Sequence, residues 1–75
     1  MHYGYRELVK YDVVRDLTGQ QEAWKRKWIA GFTTRGDAEN FAMDLSKANP
    51  KHYIVVQSKF RPEAVYLNGR GVSLL

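Results

Sequence analysis

The chain has 75 residues, 12 lysines and arginines against 8 acidic residues, a net charge of +4 and no cysteine. That length allows one domain, and the absence of cysteine excludes disulfides and thiolate metal sites. No apolar run approaches the ~20 residues that span a bilayer and no signal-like start is present, so the chain reads as a soluble cytoplasmic protein with no membrane partner.

Leu8 to Asp16 is predicted as a strand, with Val9, Tyr11 and Val13 on one face and Leu8, Lys10, Asp12 and Val14 on the other. Leu17 to Glu22 is polar and holds the glycine that a hairpin loop favours. Ala23 to Phe32 reads as the second strand. Trp28, Ala30 and Phe32 share one face there, and Lys25, Lys27 and Ile29 share the other.

Thr34 is the expected N-cap of a helix over Arg35–Asn49, with Asp37 and Glu39 near its positive pole. Ala38, Phe41, Ala42 and Leu45 recur at helical spacing as one apolar stripe. Asn49-Pro50 ends the helix, because a residue before proline avoids helical backbone. Tyr53 to Phe60 is the third strand, and Arg61-Pro62 breaks it. In the remainder, Ala64–Leu67 and Val72–Leu75 flank Asn68-Gly69, a dipeptide suited to a type I′ turn. Residues 61–75 therefore form either a hairpin or an extended arm.

The order β-β-α-β gives an α+β fold in one domain over residues 1–75, with a core over residues 5–60. A right-handed crossover through the helix puts the third strand beside the first, giving a small antiparallel sheet of order 2-1-3 with the helix on one face. The predicted core is Val9, Tyr11, Val13, Trp28, Phe32, Ile54 and Val56 beneath the helix stripe.

The opposite face collects the candidate binding residues. Lys10, Lys25, Lys27 and Lys59 would meet phosphates, Arg26 would extend the patch, Gln57 would reach a base edge and Tyr53 would stack. The helix segment holds two basic and three acidic residues, so the positive excess lies on the strands and tails. Clustered cations gain free energy by releasing counterions from a polyanion. Leu8, Val14, Ile29 and Val55 share that face, which suits a protein interface, a homodimer or cover by the C-terminal tail through Val65, Tyr66, Leu67 and Leu74. Lys25-Arg26-Lys27 also fits a charged edge strand that blocks strand addition.

Catalysis finds little support. No nucleotide-binding loop or nucleophile–histidine–acid motif is present, and Asp12, Asp16 and Glu22 read as solvated surface charge. Only His2 and His52 offer imidazoles, so no metal or other cofactor is expected.

The stretch from Lys25 to Phe41 resembles the arm-type DNA-binding domain at the N-terminus of phage and transposon integrases. In that family a basic strand runs into a phenylalanine, a threonine cap and an A-E-x-F helix start. Phe32, Thr34, Ala38, Glu39 and Phe41 stand at the matching places, within a likeness covering roughly residues 5–49. The resemblance implies a sheet lying in the DNA major groove, with roles for Lys10, Lys25, Lys27 and Arg26. That family places three strands before its helix, where two are predicted here. More broadly the chain looks like a small phage-type accessory protein.

Two functions are therefore expected of this chain. One is a nonenzymatic module that binds DNA or RNA through the open sheet face, as an accessory protein of a mobile element. The other is a small inhibitor or adaptor that binds a host protein through the same face.

Overall fold

A computed structural model describes residues 9–16 and 26–75. Its elements are strands β1 (Tyr11–Asp16) and β2 (Arg26–Phe32), helix α1 (Arg35–Ala48), and strands β3 (Tyr53–Ser58), β4 (Arg61–Leu67) and β5 (Arg70–Ser73). The strands form one antiparallel sheet of order β2-β1-β3-β4-β5. The fold is thus the expected α+β sheet with one helix on it, extended by a C-terminal hairpin. Residues 61–75 build two further strands in register and do not fold back as a lid.

Helix α1 begins where a threonine can cap it. Thr34 is extended, with φ −118° and ψ 147°, and its hydroxyl accepts from the Asp37 amide at 3.4 Å. Asp37 in the first turn and Lys47 in the last complement the helix dipole. At the other end the Asn49 amide and side-chain Nδ2 both donate to the Leu45 carbonyl.

The face that α1 turns to the sheet is built from small side chains. Ala38, Ala42 and Ser46 are buried at four-residue spacing, so the helix lies close to the strands. Val13, Ile54, Val56 and Ala64 meet it from below, and Tyr11, Ile29, Phe32, Phe41, Leu45 and Tyr66 pack around that centre. The Phe32 and Phe41 rings lie 5.2 Å apart and tilted by 48°, an arrangement contributing about 0.5–1.5 kcal/mol beyond area burial.

Two irregularities set which side chains face where. Val13 and Val14 pair with Ala30 and Trp28, leaving Ile29 as an extra residue in β2. This bulge reverses the alternation in β2. Ile29 packs against the helix-side core, whereas Trp28 lies on the opposite face with 59% of its surface exposed. The expected placement of both residues is corrected by that one insertion. In β4, Glu63 is the extra residue between Ala64, opposite Val56, and Pro62, opposite Gln57. A bulge is one of the few sheet positions that tolerate a proline.

The third strand stops at Ser58 rather than Phe60. Lys59 and Phe60 form a two-residue turn, both with positive φ, at 51° and 66°. The Asn68-Gly69 turn has the same form, with φ 51° and 81°. Residues Leu8 and Ala23 to Lys25 of the predicted strands lie outside the described residues. No described helix is long and apolar enough to cross a membrane.

Candidate functional site

The face away from α1 is ordered in rows by the strand register. Its middle row is apolar across all five strands: Trp28, Val14, Val55, Val65 and Val72. One neighbouring row runs Arg26, Asp16, Tyr53, and then Leu67 beside Arg70. The other holds Asp12, Gln57 and Pro62, with Leu74 continuing β5.

The centre of this face is not open. Val14 and Val55 are buried, so they are not exposed interface residues as expected. Gln57 is buried as well, and its Oε1 accepts from Arg26 Nη1 at 3.1 Å. Arg26 stands opposite Asp16 and Gln57 opposite Asp12, so the guanidinium crosses β1 diagonally, above Val14. This contact engages both Arg26 and Gln57, two of the expected nucleic-acid contacts. Trp28 leans the same way, its indole N–H donating to Asp12 Oδ1 at 3.0 Å.

Among the described residues the expected cations do not gather into one patch. Lys27 pairs with Arg15, which alternates with Tyr11 and Val13, so it belongs to the helix side of the sheet. The Ile29 bulge is again the cause. Lys59 sits in the β3–β4 turn and not on a strand face. Lys10 and Lys59 do come together, lining one cleft of about 430 Å³ with Val9, Tyr11, Asp12 and Ser58. Beside Lys59, Phe60 projects from the turn with 79% of its surface exposed, followed by Arg61. Leu8 and Lys25 lie outside the described residues. Tyr53 is exposed on the face, as expected.

A second surface was not foreseen. Tyr53, Leu67, Val72 and Leu74 are exposed apolar residues on the adjacent strands β3, β4 and β5 and the end of the chain. They flank half-buried Val65, with Arg70 at the rim. The sequence signal was present in the alternation of Val65, Leu67, Val72 and Leu74. It lacked only the knowledge that the C-terminal hairpin continues the sheet.

On the helix side, Arg35 Nε donates to Glu39 at 2.9 Å and its Nη1 lies 3.7 Å from Glu63. The hydrogen bond to Glu39 raises the guanidinium pKa. Burial holds the Tyr66 phenol above its ordinary pKa of 10.0. Among the described residues no group of three or more histidine, cysteine, aspartate or glutamate side chains gathers into a metal-binding cluster. Comparison of the chain with known protein families, with curated proteins and with solved structures finds no match.

Proposed function

We propose that this domain is a nonenzymatic protein-binding module that docks a partner protein on the C-terminal half of the face opposite α1. The supporting observation is the exposed apolar run of Tyr53, Leu67, Val72 and Leu74 on neighbouring strands. Contiguous apolar surface on a small domain is costly in water and marks a contact site. A tyrosine within the patch and an arginine at its rim are the residue types enriched at binding hot spots. The net charge of +4 favours a partner with an apolar centre and an acidic rim. The size suits a small inhibitor or adaptor of the phage type.

The test compares the wild-type domain with a Tyr53→Ser, Leu67→Asp double variant as bait in nuclease-treated extract. Both side chains are partly exposed, so the melting temperature should change little. The expected outcome is a defined protein retained by the wild type and reduced about tenfold or more by the variant. Equal retention by both baits would refute the reading.

A second reading rests on the cleft shared by Lys10 and Lys59. With Arg61 and the projecting Phe60 it suits a nucleic-acid strand, the cations meeting phosphates and the ring stacking on a base. Asp12 in the same cleft and the engagement of Arg26 with Gln57 weigh against it.

A further inference from the structure

The two edges of the sheet differ. Strand β2 carries the Ile29 bulge together with the exposed Lys27, devices that discourage strand addition. Strand β5 has neither bulge nor proline. All four of its residues are exposed, and among described residues it pairs only with β4.

The backbone of β5 has a fixed orientation. The Leu74 amide donates to the Glu63 carbonyl at 2.8 Å, so Leu74 is turned toward β4. Alternation turns Val72 and Arg70 the same way. The N–H and C=O groups of Gly71 and Ser73 therefore point outward from the sheet. Tyr66 lies across Gly71 on the helix side, where a Cβ would strike its ring. The outward edge there stays smooth.

We propose that β5 is the contact strand of a symmetric homodimer, pairing antiparallel with β5 of a second copy about a two-fold axis at Val72. In this register Gly71 of each copy meets Ser73 of the other, and all four outward-pointing groups of each strand find partners. Val72 meets Val72 of the second copy in a non-hydrogen-bonded pair, with Cα atoms about 4.5 Å apart and side chains in contact. Arg70, the only charge on β5, falls opposite Leu74 of the second copy and never opposite itself. The register suits a second copy because each strand offers the other the same four groups and the single charge stays clear of its own counterpart. The guarded β2 edge closes the assembly at two chains rather than a fibre. The proposal concerns the edge of the sheet and holds whether or not its face docks another protein.

So short a contact is below the size of a standard interface, which makes the dimer weak and concentration-dependent. The experiment is sedimentation equilibrium of the whole chain from micromolar to millimolar concentration. The mass should rise from 8.7 kDa toward twice that value. Ser73→Pro removes an outward N–H without touching the bonds to β4, and Val72→Lys places like charges at the two-fold axis. Each variant should stay at monomer mass while melting as the dilute wild type does. A single monomer mass at every concentration, or a dimer that persists in either variant, would overturn the proposal.

Discussion

The Ser46 hydroxyl donates to the Met43 carbonyl and accepts from the Gly69 amide at 2.8 Å, so one buried oxygen ties α1 to the β4–β5 turn. Ser46→Ala should leave that amide without its acceptor and destabilise the fold by about 1–3 kcal/mol, read by urea denaturation. Tyr66 gives a pH-dependent test. Burial raises its folded-state pKa above 10.0, so the folded chain holds the phenolic proton longer than the unfolded chain. The resulting stability is complete below the unfolded value and is lost as pH rises through the folded one. Tyr66→Phe should flatten the fall in melting temperature above pH 10 relative to wild type. Not every residue of this kind was legible in the sequence. The Thr34 cap and the Ala38 and Ala42 stripe were, because each depends on its immediate neighbours. Trp28 was not, because its face is set by an extra residue that only pairing with β1 reveals.

Among the elements, the two hairpin turns show the same contrast. Asn68-Gly69 has the residues that a left-handed turn prefers, and it forms one. Lys59-Phe60 adopts the same backbone with residues that disfavour it, so no local signal points to a turn there. The neighbouring Arg61-Pro62 suggested a break, yet both residues begin β4, with the bulge at Glu63 beside the proline. The strained turn holds Phe60 out into solvent, and strain of this sort gathers at functional positions. Replacing the turn by Lys59→Asn with Phe60→Gly should stabilise the domain by about 1 kcal/mol or more, the cost of left-handed backbone in ordinary residues. An unchanged denaturation midpoint would show that the turn is unstrained.

For the molecule as a whole, strand order followed from the right-handed crossover, so the path β2-β1-β3 was legible in the sequence. The functional face was legible only in part. Charge counting gathered cations that the fold then separates, with Lys27 on the helix side, Lys59 in a turn beside Lys10 and Arg26 bound to Gln57. Alternation placed Tyr53, Val14 and Val55 on one face, but not that the two valines would be buried while Leu67 and Val72 remain exposed. Exposed apolar surface, rather than concentrated positive charge, is what distinguishes this face. The most direct measurement is therefore a gel-retardation titration against duplex and single-stranded DNA and RNA at physiological ionic strength. A protein-docking domain should leave all of them unshifted. Retardation that weakens steeply with added salt and is lost on Lys10→Glu with Lys59→Glu would contradict the account and return the function to nucleic acid.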